Sequence, residues 1–404
     1  MWFGTIAACL AVVAVLNISR TGATVVKIGV LGAGQLGRML ALAGGPLGLS
    51  LRFLDPDPEA CAAAFGEHVC ASFDDEAALA RFAQGLDAAT LEFENVPLSC
   101  VQALSSLTTV YPGPVALAAA QDRLSEKTLF SGLGLGVHAY APVASAAEVH
   151  GALSHVGLPA VLKTRSMGYD GKGQGVIRSD TDLQADWDRI TSHGRQQGEA
   201  SVRCLVESMV AFERELSLVA VRGRSGEFGA YPLVANIHSG GILRTTIAPA
   251  PGVAPELQRL AEAHARAIME HLGYVGVLAI EFFDLGAGHG TASRLLANEM
   301  APRVHNTGHW TIEGAQTSQF ENHLRAVAGL PLGSCEARGH SVMVNLIGSV
   351  PEVRELLAIK GAHVHIYGKS ARPGRKVGHV TATANDAQVA AAIAARVQAL
   401  VDRA

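Results

Sequence analysis

Glu281 and Glu299 are the residues of this chain best suited to do chemistry, and Arg303, His305 and Asn306 follow the second of them closely. Two carboxylates without a dedicated oxygen cage suit Mg²⁺ shared with nucleotide phosphates, because that ion takes most of its ligands from water and substrate. A guanidinium, an imidazole and an amide beside them would donate to a charged intermediate. A lone glutamate closing an apolar strand is most often just a solvated side chain. The reading therefore rests on the cluster.

The local pattern shows which elements would position these groups. Tyr274 to Ile280 is an apolar run that reads as a buried strand closed by Glu281. Leu295 to Glu299 reads as a second strand, after a glycine-rich loop from Asp284 to Arg294 that should project into solvent. Strands joined this way pair as neighbours, which brings both carboxylates to one end of a sheet.

Other segments point to phosphate. Leu158 to Lys163 reads as a strand with its lysine at the end, followed by a glycine-rich hairpin loop, Met167 to Gly175. No G-x-x-x-x-G-K-[ST] is present, so this is not a P-loop. Backbone N–H groups of such a loop can still fold over phosphates, although a plain surface hairpin has the same composition. Cys204 to Val210 is an apolar strand carrying Glu207. Near the start, strand Val25 to Leu31 leads into Gly32-Ala33-Gly34-Gln35-Leu36-Gly37 and a helix, then strand Ser50 to Leu54 and Asp55. That resembles a dinucleotide fingerprint, and alone it would suggest NAD. Its glycines only permit a tight turn and close approach of any phosphate to a helix N-terminus. Between Glu355 and Asp386 there is no acidic residue, while Lys360, Lys369, Arg372, Arg375 and Lys376 fall there. So local a basic block suggests a small anionic ligand, with a solvated basic face as the alternative.

The 404 residues are enough for two or three domains, and 49% hydrophobic with 17% charged residues is a globular composition. A net charge of −4 gives no general attraction for nucleic acid or an anionic membrane. The six cysteines are scattered with no C-x-x-C pair, as expected in a reducing compartment such as the cytoplasm. His363 and His365 alternate as on a strand and are too few for a zinc site. The apolar run Ile6 to Leu16 is shorter than the roughly 18–20 residues a membrane span needs. No Lys or Arg precedes it, unlike a secretory signal. Further on, the spacing predicts a helix from Asp122, hairpin strands around Tyr231 to His238 and Gly241 to Thr245, and helices over Pro255–His271 and Gln319–Ala328. A β-rich end with a terminal helix, Asp386 to Arg403, completes the chain.

Five motifs carry a family resemblance. They are GAGQLGRM (Gly32–Met39), GYDGKGQ (Gly168–Gln174), GILRT (Gly241–Thr245), NEMAPRVHNTGHW (Asn298–Trp310) and RPGRKVGH (Arg372–His379). In this order they resemble the ATP-grasp superfamily and, within it, the 5-(carboxyamino)imidazole ribonucleotide synthases. The resemblance implies an α/β ATP-grasp fold. A Rossmann-like pre-ATP-grasp domain would span residues 25–114, the ATP-grasp domain 115–330 and a small C-terminal β-rich domain 331–404. Residues 1–24 have no counterpart and are expected to be a disordered or artefactual extension.

The implied activity is ATP-dependent carboxylation of 5-aminoimidazole ribonucleotide with bicarbonate, through carboxyphosphate, in purine biosynthesis. ATP would then contact Arg123, Lys163 and the loop Gly168, Tyr169, Asp170, Gly171, Lys172, Gly173 and Gln174. It would also meet Glu207, Ser208, Met209, Val210, Glu215, His238, Asn298 and Glu299. Mg²⁺, with Mn²⁺ as a substitute, would sit on Glu281 and Glu299. The ribonucleotide would meet Gly34, Gln35, Leu36, Tyr169 and Asp170, and its 5′-phosphate would lie between the Gly32–Gly37 turn and Arg372, Arg375 and Lys376. Arg303, His305, Asn306 and Lys369 would stabilise carboxyphosphate. The resemblance further implies a cytoplasmic homodimer acting on small molecules, with no nucleic-acid or membrane partner. Met167 stands where the loop often has another glycine, and Lys172 where arginine is common, which removes a bidentate fork. A formate-dependent formyltransferase, a biotin carboxylase-like enzyme, an NAD-dependent oxidoreductase and a non-catalytic nucleotide-binding subunit remain as alternatives.

Overall fold

The computed structural model describes residues 25–166, 173–179, 183–196 and 202–404. The apolar run at 6–16 and most of the glycine-rich loop, Met167 to Lys172, lie outside the described residues.

The chain begins with a parallel sheet in the order β3-β2-β1-β4, made of β1 (Lys27–Leu31), β2 (Ser50–Asp55), β3 (Glu67–Cys70) and β4 (Ala88–Leu91). Parallel strands are covered on both faces, so their sequences are nearly continuous apolar runs. Ile28, Val30 and Leu31 are fully buried. The helix Gln35–Gly44 covers one face with Leu36, Met39 and Leu40, a spacing that places them on one side.

A second sheet is antiparallel, in the order β5-β8-β6-β7, from β5 (Tyr140–Val143), β6 (Ala160–Thr164), β7 (Gln174–Ile177) and β8 (Cys204–Ser208). Lys163 pairs with Gln174, so the glycine-rich segment does connect two hairpin strands, as expected. Helices Ala146–Val156 and Leu183–Gln196 supply Val149, Leu153 and Trp187 to its core.

The third sheet has nine strands: β9 (Arg214–Arg222), β10 (Phe228–Ala230), β11 (Val234–Ser239), β12 (Ile242–Ala248), β13 (Gly276–Asp284), β14 (Leu295–Ala301), β15 (His340–Ile347), β16 (Ala362–Ile366) and β17 (Lys376–Ala384). Its order is β14-β13-β9-β11-β12-β15-β17-β16, with β10 on β9. β15 pairs with β12, so the C-terminal strands extend the central sheet rather than forming one of their own. The helix Ala387–Val401 packs Ala390, Ala394 and Val397 over these last strands. His363 and His365 alternate on β16, as expected. Among the described residues no group of three or more His, Cys, Asp or Glu is placed to hold a metal. Also among them, no helix is long and apolar enough to cross a membrane.

The expected end of a strand at Glu281 needs correction: β13 runs on to Asp284. Phe282 and Asp284 are buried, and Asp284 accepts from Arg214 and from Arg294, which anchors the exposed loop between β13 and β14 at its base. A buried carboxylate with two cationic partners is compatible with a strand interior, and apolar periodicity could not show that.

Helix Gln319–Ala328 ties the first and third sheets together. Val277 N–H donates to His323 Nδ1 at 3.0 Å, so the proton of the neutral ring is on Nε2, 2.8 Å from Thr90 Oγ1.

Candidate active site

β13 and β14 place Glu281 directly opposite Glu299. Directly opposed residues of an antiparallel pair project to the same face. The register slips just past this pair, since Phe282 faces Ala297. Asn298 is the extra residue of a β-bulge, a feature that re-aims neighbouring side chains. Like charges in opposition are unfavourable without a cation between them. Burial, then Glu299, pushes the Glu281 carboxyl up to about 8. The donor set fits Mg²⁺ held by two carboxylates and phosphate oxygens.

These two residues line a cavity of about 870 Å³ together with Gln35, Leu36, Arg303 and His305. Lys369, Arg372, Arg375 and Lys376 form its basic wall, which brings the C-terminal block to the carboxylates. Lys369 Nζ donates to Gln35 Oε1 at 2.7 Å, linking that block to the first helix. Burial, then the nearby Arg375, lowers the Lys369 pKa.

Arg303 also faces the cavity, but its Nε donates to Glu94. Burial alone would raise the Glu94 carboxyl; Arg303 instead holds it down at about 2. Arg303 is therefore a paired cation in the free protein. His305 is neutral, lowered to about 3 by burial and by Arg303. Asn306 lines the cavity as well, yet its Nδ2 donates to His309 Nδ1 at 3.0 Å and Asn345 Oδ1 at 3.1 Å. In the free protein its amide is thus engaged on both sides.

The Gly32–Gly37 turn is also corrected. Gly34 N–H donates to Glu92 Oε1 at 2.5 Å, Gly37 N–H to Glu92 Oε2 at 2.7 Å and Ala33 N–H to Asp55 Oδ2 at 2.8 Å. The amides expected to cradle a phosphate are filled by two internal carboxylates. A Cβ on Gly34 would lie 2.5 Å from Glu92 Oε1, so glycine is needed there for the close approach of Glu92. This occupation also removes the basis of the dinucleotide reading. Gln35 and Leu36 do face the cavity; the backbone of Gly34 is not available to a ligand.

Arg123 opens the helix Arg123–Gly132, and its Nη1 lies 3.2 Å from Glu299 Oε2. Asp122 caps that helix at Ser125 N and takes two hydrogen bonds from Arg165, which fixes the helix to the base of the glycine-rich loop. Lys163, Glu207, Glu215, His238 and Asn298 do not line the main cavity; they sit in two groups beside it. His238 pairs with Glu215; burial alone would lower the imidazole pKa, but the hydrogen bond to Glu215 and the charge of the nearby Glu281 raise it. Lys163 Nζ lies 2.6 Å from Glu207 Oε2, and the carboxylate is 1% exposed. His138 Nε2 at 2.9 Å and Lys127 Nζ at 3.8 Å complete its surroundings. Burial alone would raise the Glu207 pKa; the two lysines hold it well below the usual range. Its carboxylate is thus a counter-ion for lysines, and Ser208 to Val210, with Met209 exposed, are what this strand end presents outward. Gly173 and Gln174 lie at the end of the loop, whereas Gly168, Tyr169, Asp170, Gly171 and Lys172 lie outside the described residues.

Reading by sequence missed Lys127 and Glu126. Lys127 Nζ donates to Asn298 O at 2.9 Å, and Glu126 Oε1 accepts from Met300 N–H at 2.7 Å, so both hold β14 in place. Their signal was available: they stand three and four positions after Arg123, on the same helix face.

Comparison with known proteins identifies the family. A ribonucleotide synthetase preATP-grasp domain matches residues 25–121, an ATP-grasp domain 128–320 and a phosphoribosylaminoimidazole carboxylase C-terminal domain 341–393. An N5-carboxyaminoimidazole ribonucleotide synthase of Pseudomonas aeruginosa is 50% identical over 376 residues, 93% of this chain and 99% of its own. The crystal structure of the N5-carboxyaminoimidazole ribonucleotide synthetase of Thermus thermophilus is 53% identical with a TM-score of 0.84, covering 92% of this chain and 98% of that one. The Aspergillus clavatus synthase in complex with ADP and 5-aminoimidazole ribonucleotide is 29% identical with a TM-score of 0.82, over 94% and 99% of the two chains. On this likeness across nearly its whole length, the chain belongs to the N5-carboxyaminoimidazole ribonucleotide synthase family of ATP-grasp enzymes.

Proposed function

We propose that this chain carries out its family's reaction, the ATP-dependent carboxylation of 5-aminoimidazole ribonucleotide with bicarbonate, in the cavity between Glu281/Glu299 and the basic wall. The facing of Glu281 and Glu299 beside that wall is the observation that carries the reading. Mg²⁺, or Mn²⁺ in its place, would be held by these carboxylates and supplies charge neutralisation for the transferred phosphoryl group.

A bicarbonate oxygen attacks the γ-phosphorus, the bond to ADP breaks and carboxyphosphate forms. The exocyclic amine then bonds to the carboxyl carbon, phosphate leaves with the C–O bonding pair, and the amine loses a proton. Bicarbonate is a poor electrophile, so the protein's task is positioning and charge stabilisation. Arg303, released from Glu94 or shared with it, and Lys369 supply positive charge; the imidazole Nε2–H of His305 supplies a neutral donor, its Nδ1 accepting from Thr307 N–H. Arg123 and Lys163 meet the phosphates of ATP, with Glu215, His238, Ser208 to Val210 and Asn298 around the nucleoside. Gly168 to Gln174 meet the phosphates of ATP, and Tyr169 and Asp170 the ribonucleotide. Gln35, Leu36, Arg372, Arg375 and Lys376 bind the ribonucleotide, with its 5′-phosphate on the basic wall and not on the Gly34 amide. Assignment of residues 25–114, 115–330 and 331–404 to three domains, a homodimer and a cytoplasmic location belong to the same reading; sedimentation and fractionation test the last two.

The test is ADP release with bicarbonate or formate, with and without 5-aminoimidazole ribonucleotide, using ¹⁸O-labelled bicarbonate. Transfer of one label to phosphate, dependent on the ribonucleotide, is the expected result. Formate-dependent turnover, or phosphate without label, overturns it.

A further inference from the structure

Residues 303–309 present Arg303 and His305 to the cavity. A short 3₁₀ turn, Asn306–Gly308, is their one regular element. We propose that three buried side-chain amides, Gln319, Asn345 and Asn236, are positioning residues that hold this loop in the geometry in which bicarbonate is activated. The proposal rests on the function just assigned.

Gln319 is the first residue of helix Gln319–Ala328 and is fully buried. Its Oε1 accepts from His305 N–H at 3.0 Å and its Nε2 donates to His305 O at 2.6 Å. One side chain thus grips both backbone groups of His305. Its own N–H donates to Thr311 Oγ1 at 2.9 Å, and that hydroxyl donates to Gly308 O at 2.6 Å. A Cβ on Gly308 would lie 2.5 Å from Gln319 Oε1, which accounts for glycine there.

Asn345, on β15 and 2% exposed, holds the next residue. Its Nδ2 donates to Leu243 O at 2.9 Å and to Asn306 Oδ1 at 2.8 Å, and its Oδ1 accepts from Asn306 Nδ2. A backbone carbonyl only accepts, so Leu243 O determines which end of Asn345 is nitrogen. That orients Asn306, whose Nδ2 faces His309 Nδ1. Nδ1 of His309 must then be an acceptor, which puts its proton on Nε2 and leaves the ring neutral. Tyr367 O–H stands between His309 Nδ1 at 3.2 Å and His379 Nδ1 at 2.8 Å and extends this order into β17.

Asn236, on β11, holds the third residue. Its Oδ1 accepts from Thr307 Oγ1 at 2.8 Å and Thr246 Oγ1 at 3.0 Å, while its Nδ2 donates to Ser217 Oγ at 2.5 Å. Residues 305, 306 and 307 are therefore each gripped from a different element: a helix, β15 and β11. Such mounting defines the loop's place and tilt against the sheet that carries Glu281. Displacement by about 1 Å from productive geometry can cost roughly 100-fold. A short-lived intermediate that meets a misplaced loop is hydrolysed, so ADP forms without carboxylated product.

The test uses Gln319→Glu and Asn345→Asp in the full chain. Gln319→Glu keeps the acceptor for His305 N–H, sets a carboxylate oxygen against His305 O, and sits where the helix dipole favours an anion. It keeps the test usable if Asn345→Asp does not fold. For each folded variant the expected result is an ATP KM within about threefold of wild type and carboxylation lowered roughly 10- to 100-fold. ADP released per carboxylated product should rise from one to several. In wild type, ¹⁵N-imidazole NMR, with His309→Gln for assignment, should show His309 protonated on Nε2; Asn345→Asp should shift it. Preserved coupling in Gln319→Glu, or wild-type His309 protonated on Nδ1, overturns the proposal. Wild type lacking ribonucleotide-dependent ADP release would instead sink the assigned function.

Discussion

Glu281 faces Glu299 at a spacing that leaves one carboxyl favouring its proton in the free protein. A carboxyl whose pKa rises on folding, here from 4.5 to about 8, adds stability below the lower value. That contribution is lost as the pH climbs through the upper value. Binding of Mg²⁺ with ATP favours the ionised form and reverses the loss. Protection of the melting temperature by Mg²⁺–ATP should therefore grow between about pH 6 and 8; protection that stays level over that interval would contradict the metal assignment. Glu299→Ala should lower ADP formation by roughly 100-fold or more while the protein stays folded. Lys369→Ala should reduce carboxylation far more than ATP binding, as read from kcat against ATP KM, since its amine faces Gln35 and the basic wall. Equal losses in both would remove its role.

At the level of elements, the hairpin β13–β14 is what places the two carboxylates, and its base is a buried ion cluster. Asp284 is fully buried and joins Arg214 and Arg294. Asp284→Ala leaves two guanidinium groups without their partner and should cost about 2–4 kcal/mol, read by urea unfolding. Activity at a temperature where the variant is folded should fall only modestly, because Glu281 lies on the same strand nearer its centre. The central sheet carries the site in a second way. Extension of β12 by β15 and β17 brings the Arg372–Lys376 segment to the cavity opposite Glu299. The glycine turn near the N-terminus acts differently from what its motif suggests: with Glu92 and Asp55 on its amides it is an internally capped helix start.

On the scale of the molecule, neutral histidines run through the junctions. Burial lowers His323 to about 4, and burial with Arg303 lowers His305 to about 3. Burial also depresses His309 and His379. Histidines of the unfolded chain titrate near 6.5, so below that value the unfolded state binds more protons. The stability these histidines contribute should be fully present above about pH 6.5 and decline as the pH falls toward 4. Thermal melts of wild type and His323→Gln from pH 7.5 to 5 check this, and identical slopes would show that this ring is not neutral in the fold. His323→Gln should remove part of the slope, since that ring joins Thr90 of the first sheet to Val277 of the third.

Periodicity and turn residues determined much by themselves. Helices Pro255–His271 and Gln319–Ala328, the hairpin closed by Gly240 and Gly241 and the strands flanking the glycine-rich loop all match the sequence reading. These follow from local rules: apolar spacing, a capping serine at 318, glycines at positive φ. The motifs also identified the acidic pair and the basic block. What only the tertiary structure decided is which of these groups have free atoms. Gly34, Asn306 and Glu207 carry the right chemistry, but distant partners occupy them: Glu92, Asn345 and the lysines. Gln319, Asn236 and Lys127 look ordinary in the chain and become important only where separate elements meet. Hydrogen-bond engagement depends on neighbours far apart in sequence, and no local pattern encodes them.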